Sequence, residues 1–196
     1  MADVTFVSSN AGKWPEVRDV LARHGVTARW RRHVLPEPQV ETLEEVVASK
    51  LAATRDVPGR VLVEDSGLFI PSLGGFPGVY SAHFLKIWKF QPIFELLRRR
   101  DRAAYFRAVA GLREGASTRL FSGEVHGRIA LRANGSNGFG YDPIFIPDGW
   151  TKTFAQVPAD RKNEISHRAR AVDRAGSYLA TVRTPTPRRA RGRRSP

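Results

Sequence analysis

The chain has 196 residues, 41% of them hydrophobic, a net charge of +13 and no cysteine. That length suits one domain with a sizeable core; the missing cysteines exclude disulfides, thiolate metal sites and cysteine nucleophiles, and fit a reducing cytoplasm. No run of roughly eighteen apolar residues indicates a membrane span, and the start Met1-Ala2-Asp3-Val4 lacks the basic-then-apolar pattern of a signal peptide.

Val4 to Ser8 reads as a short apolar strand. A polar turn follows, Ser8-Ser9-Asn10-Ala11-Gly12-Lys13, and then a helix in which Val17, Val20, Leu21 and His24 keep helical spacing and Gly25 is the stop. Pro15 suits the first helical turn. A strand, a small polar turn and a helix start offer backbone N–H groups and a dipole to anions, and Lys13 adds a charge. Walker A spacing is missing. The residues alone leave two readings, a phosphate cradle or an ordinary strand-to-helix turn with a solvated lysine. Val26 to Trp30 is a second strand. Leu35-Pro36-Glu37-Pro38 is a stiff loop that holds Glu37 between prolines. Thr42 and Glu45 predict a capping box, after which Val46, Val47, Lys50, Leu51 and Thr54 carry the helical repeat.

Val61-Leu62-Val63 reads as a buried strand, followed by Glu64-Asp65-Ser66-Gly67. The two carboxylates are expected just past the strand's carboxyl end, where open α/β sheets place ligands. Such a pair suits a hard cation such as Mg²⁺ or a base that activates water; the plain alternative is a polar turn. Leu73 to Ser81 is turn-rich and suits a lid or wall. Phe84, Ile87 and Trp88 mark a helix with these residues expected in the core, and Pro92 starts a second with Ile93, Leu96 and Leu97.

Ala104 to Arg113 and Thr118 to Leu131 alternate as antiparallel strands about a hairpin turn. Coming after βα units, they predict an α/β fold with a mixed central sheet and flanking helices. His126 reads as a surface or structural histidine. In Asn137-Gly138-Phe139-Gly140-Tyr141-Asp142, two glycines flank a ring that is awkward to bury in a loop. Such a ring can stack on a base, a contact worth ~1–3 kcal/mol. Asp142 can accept hydrogen bonds from a ligand or cap the turn. Lys162 and Arg168 lie six residues apart and would point about 120° apart on one continuous helix. They meet one ligand only if the helix breaks. Ser166 as an N-cap predicts a short helix ending near Asn163 and a new one from His167 that buries Ala169, Val172, Leu179 and Val182. In its first turn the dipole disfavours the cations His167 and Arg168 unless an anion or carbonyl ligand offsets it. The domain is expected over residues 1–183. Residues 184–196, rich in Arg and Pro, are expected to form a disordered tail, either solvated or touching nucleic acid.

Six motifs occur in order: Ser-Asn-x-Gly-Lys, Glu-Asp-Ser-Gly-Leu, Gly-x-Pro-Gly-Val-Tyr-Ser, Gly-Phe-Gly-Tyr-Asp-Pro-Ile-Phe, Lys-Thr-Phe-Ala and Lys-Asn-x-x-Ser-His-Arg. Together they resemble the inosine triphosphate pyrophosphatase family, also called Ham1-like, over about residues 4 to 180. The resemblance implies two lobes around a nucleotide cleft, a homodimer, and Mg²⁺-dependent conversion of ITP, dITP and XTP to the monophosphate and pyrophosphate. It implies that Ser8, Ser9, Asn10, Ala11, Gly12 and Lys13 bind the triphosphate. Glu37 and Asp65 would bind Mg²⁺, with Asp65 also the proton acceptor and Glu64 supporting it. Ser66 would touch the nucleotide, and Phe139, Gly140, Tyr141, Asp142, Lys162, His167 and Arg168 would hold the base and sugar side. Donors from His167 or Arg168 to a 6-oxo group would disfavour adenine. Ser9 stands where many members have glycine, and Gln156 where glutamate is common. The alternatives are a basic nucleic-acid-associated protein without catalysis and a pyrophosphatase for other modified nucleotides.

Overall fold

The computed structural model describes residues 3–182; the expected tail at 184–196 lies outside the described residues. The first half alternates strands and helices: β1 (Val4–Val7), α1 (Trp14–Arg23), β2 (Ala28–Arg31), α2 (Leu43–Ala52) and β3 (Val61–Phe69). Next come a two-residue β4 (Pro77–Gly78) and the helices α3 (Ser81–Trp88) and α4 (Gln91–Leu96). A long hairpin, β5 (Ala103–Glu114) and β6 (Ser117–Ile129), is followed by β7 (Phe145–Pro147), α5 (Ala159–Asn163) and α6 (His167–Thr181). The sheet order is β2-β1-β3-β5-β6-β7, with β4 on β3. The β2-β1-β3 pairings are parallel and the others antiparallel, which is the mixed sheet expected.

Strand alternation divides the core between the two faces of the sheet. Phe6 and Leu62 pack with Val17, Leu21, Val172 and Leu179 of α1 and α6. Val61, Val63 and Val109 pack with Val47 and Leu51 of α2 on the other face. A third core joins Leu68, Phe106, Phe145 and Phe154 to Ile93 of α4 at the far end. Each such side chain, fully buried, contributes about 1.5–3 kcal/mol. The helix starts are encoded locally. Thr42 Oγ1 accepts from Glu45 N, whose side chain accepts in return from Thr42 N. Ser166 Oγ accepts from Ala169 N and opens α6 where the sequence places it. Among the described residues no helix is long and apolar enough to cross a membrane.

Three expectations are corrected. Glu64 and Asp65 do not lie beyond β3 but inside it. The parallel pairing to β1 stops at Leu62, while the antiparallel pairing to β5 carries β3 on to Phe69. Gly67 lets this extension form, because a Cβ there would lie 2.3 Å from the Gly78 carbonyl oxygen on β4. In α3, Ile87 and Trp88 are not core residues; they are 55% and 60% exposed. The helix packs through buried Ser81 and half-buried Phe84 and Leu85, and its last turn is exposed. Val182, expected in the core of α6, lies one residue past that helix and is half-buried.

Candidate active site

Where β1 ends and β3 runs on, the protein opens into a cleft of about 830 Å³. All the residues to which the resemblance gives a binding, metal or catalytic role, except Ala11, line it. The turn after β1 is organised by its own side chains. Asn10 N donates to Ser8 Oγ at 3.1 Å, and Gly12 N to Asn10 Oδ1 at 2.9 Å. Lys13 reaches inward to Glu64, Nζ to Oε2, at 2.7 Å.

Consecutive residues of a strand face opposite sides of the sheet, and this separates the two carboxylates. Glu64 faces α1 and α6 and is fully buried. It pairs with Lys13 and with Arg168 Nε at 3.2 Å. Burial alone would raise its pKa, but Arg168 and Lys13 outweigh this and hold it far below the usual carboxylate range. Asp65 faces α2, where Lys50 Nζ lies 2.5 Å from Oδ1. Here burial wins: it raises the Asp65 pKa despite Lys13 and Lys50 nearby. Lys50 also meets Glu37 Oε1 at 3.3 Å. Glu37 and Asp65 therefore converge on one point of positive charge, and their oxygens form a hard donor set that fits a divalent cation. Among the described residues no cluster of three or more acidic or histidine side chains is placed to hold a metal. Water and phosphate would complete the shell, which is the usual arrangement when one or two carboxylates bind such an ion.

On the other side, α5 and α6 bring Lys162, His167 and Arg168 into the cleft across the break at Ser166. The anion that offsets Arg168 in the first helical turn belongs to the protein. Glu16 Oε2 accepts from Nη1 at 2.8 Å, and Ser66 Oγ accepts from Nη2 at 3.1 Å. Glu16 also accepts from the Ser166 hydroxyl, so one buried carboxylate fixes both the cap and the arginine. The His167 ring stacks on Phe106, centroids 4.6 Å apart. Burial and the neighbouring Arg168 push its pKa well below the ordinary value, so the ring is neutral, and its buried Nδ1 has no hydrogen-bond partner among the described residues.

Asp142 caps the aromatic turn, accepting from Phe139 N at 2.8 Å and from Lys162 Nζ at 2.6 Å. Gly138 has φ 73°, and a Cβ there would collide with that carboxylate at 2.1 Å. The Phe139 ring stands in the cleft with Lys162 Nζ 4.8 Å and the Arg168 guanidinium 5.3 Å from its centroid. Tyr141 is buried, which raises its pKa; its hydroxyl donates to Ser81 O at 2.8 Å and ties this turn to α3. Gln156 Oε1 accepts from Thr153 N at 2.9 Å and so supplies the cap that a glutamate would.

Lys50 and Glu16 are the two site residues that the motifs miss. Both carry a signal in the sequence, because each is a charge placed on the apolar face of a helix, Lys50 between Val47 and Leu51 and Glu16 beside Val17.

A mixed sheet whose parallel half ends in a polar turn at a helix start, with carboxylates and cations gathered behind it and an aromatic wall opposite, is an arrangement that suits an α/β protein of nucleotide-polyphosphate chemistry. The chain belongs to the Ham1 family, whose model matches residues 4–178. It is 43% identical over 179 residues to the dITP/XTP pyrophosphatase of Thermococcus kodakarensis, covering 90% of this chain and 96% of that protein. The dITP/XTP pyrophosphatase of Pyrococcus horikoshii is 43% identical over 171 residues, 86% of this chain and 92% of the relative. Among solved structures, a HAM1 protein from Coxiella burnetii superposes with a TM-score of 0.80 at 28% identity, covering 92% of this chain and all of that one. The Staphylococcus aureus Ham1 protein does so at 0.76 and 29%, covering 91% and 100%.

Proposed function

We propose that this chain hydrolyses non-canonical purine nucleoside triphosphates (ITP, dITP and XTP) to the monophosphate and pyrophosphate, with Mg²⁺ as cofactor. The observation that carries this reading is the back-to-back pair on β3. Asp65 faces Lys50 and Glu37, while Glu64 faces Lys13 and Arg168. One strand thus has the metal ligand on one face and, on the other, the carboxylate that holds both Lys13 of the phosphate turn and Arg168 of the base side. The dITP/XTP pyrophosphatase activity of the Thermococcus and Pyrococcus relatives is one that such a site suits.

Asp65 and Glu37 would hold Mg²⁺, which would neutralise phosphate charge and acidify water when bound. Asp65 takes the proton of a water whose oxygen bonds to the α-phosphorus. The bond from that phosphorus to the bridging oxygen breaks, and pyrophosphate leaves with the electron pair. A buried carboxylate with a raised proton affinity is suited to this role. Lys13, Lys50 and the amides of the Ser8–Lys13 turn carry the phosphates and the charge that develops on them. On the base side, Phe139 offers its ring, and neutral His167 offers a ring N–H to the 6-oxo edge. Arg168 is less free to read the base, since Glu16 and Ser66 accept from two of its five N–H groups and the Glu64 carboxylate pairs with it at 3.2 Å. Exposed Ile87 and Trp88 on α3 give a second copy an apolar face to pack on, in keeping with a homodimer. Cleansing a nucleotide pool places the protein in the cytoplasm.

Asp65→Asn tests the reading. Pyrophosphate release from ITP should fall about 10²–10⁴-fold, the range for removing a general base, while the circular dichroism spectrum stays that of the parent. Retained turnover in a folded variant would remove Asp65 from the chemistry.

A further inference from the structure

We propose that Lys50 is a stand-in counter-ion for the metal, so that a divalent cation enters the cleft with the triphosphate rather than ahead of it. This inference rests on reading Asp65 and Glu37 as the metal ligands. Lys50 occupies the buried face of α2 beside Val46, Val47 and Leu51, and its side chain is only 6% exposed. Its ammonium lies 2.5 Å from Asp65 Oδ1 and 3.3 Å from Glu37 Oε1. A magnesium ion held by both carboxylates would need oxygen distances of about 2.0–2.1 Å, in the space the ammonium fills. Two cations cannot share that point, so metal binding must move Lys50.

Among the described residues the cleft gives Lys50 no ready second carboxylate. The other buried carboxylates of the cleft are taken: Glu64 by Lys13 and Arg168, and Asp142 by Lys162. Moving Lys50 in the free protein would leave a buried ammonium unpaired, which is costly. A triphosphate in the same cleft changes this, because its oxygens can accept from Lys50 as the metal takes over the carboxylates. The metal then favours the nucleotide by the same factor as the nucleotide favours the metal. Lys50 is on this account a positioning residue: it keeps the acidic pair neutralised and in place until the charged substrate arrives.

The test reads metal binding directly, with Mn²⁺ as the probe and free Mn²⁺ followed by electron paramagnetic resonance, in the absence of nucleotide. Lys50→Met keeps the apolar stem and removes the charge; Lys50→Gln does so with a polar end, and serves if the methionine variant does not fold. The variant should bind Mn²⁺ at least tenfold more tightly than the parent. Equal or weaker binding would overturn the inference. The double variant Lys50→Met/Asp65→Asn separates this from the underlying reading. It should lose the gained affinity; if it binds as tightly as Lys50→Met, then Asp65 is not a ligand, and the metal-site reading itself has failed.

Discussion

Glu64 and Asp65 are adjacent in the chain, yet they meet different residues because a strand turns successive side chains to opposite faces. Glu64 is held ionised by Lys13 and Arg168, whereas Asp65 is made more basic by burial. One carboxylate is thereby fixed as structure, and its neighbour remains able to take a proton. The motif residues are legible in the sequence because they cluster where a strand, turn or helix begins. Their partners are not, because Lys50 is 15 positions from Asp65 and Glu16 is 152 positions from Arg168, and only folding joins them. Lys89 is the described non-glycine residue with positive φ, 57° with ψ −141°, at the end of α3 on the rim of the cleft. A side chain held in that region costs about 1–3 kcal/mol. Lys89→Gly should therefore stabilise the protein by ~1 kcal/mol after the extra freedom of glycine in the unfolded chain is counted. The check is a urea titration: the midpoint should rise, and a lower midpoint would show that the backbone at Lys89 is not strained.

At the scale of elements, the local signals held where the chemistry is local. The Thr42–Glu45 box opens α2, and the Ser166 cap breaks the helix between Lys162 and Arg168 as their spacing requires. The length of β3 was not legible, because Glu64-Asp65-Ser66-Gly67 resembles a turn until β5 pairs with it. The exposed end of α3 was missed for a related reason. Apolar spacing names a face but not how far the neighbouring element reaches along it. The start of α6 carries a pH dependence. His167 is buried with its pKa depressed, so between its folded value and about 6.5 the unfolded chain binds a proton that the folded protein refuses. That part of the stability is present above pH 6.5 and is lost as the pH falls below it. Thermal melts at pH 7 and 5.5 should cost the parent about 1 kcal/mol more than His167→Gln. Parallel losses in the two proteins would mean that His167 titrates as an exposed histidine does.

At the scale of the molecule, the mixed sheet produces the site by unequal strand lengths. The parallel strands stop, the β3–β5–β6 antiparallel ladder continues, and the cleft lies at the step. Cations from the turn before α1 and from α2, α5 and α6, together with the Phe139 turn, then approach it from both faces. This arrangement explains why five of the six motifs scattered over the chain line one cavity, and why the cavity has a charged side and an aromatic side. The central claim is that the charged side cleaves a triphosphate while the aromatic side chooses its base. The most direct measurement is kcat/KM for pyrophosphate release from ITP, XTP, GTP and ATP, each with Mg²⁺ and with EDTA. Release should depend on the metal and be at least ~10²-fold faster from ITP and XTP than from GTP and ATP. Equal rates on all four nucleotides, or no pyrophosphate from any of them, would contradict the account.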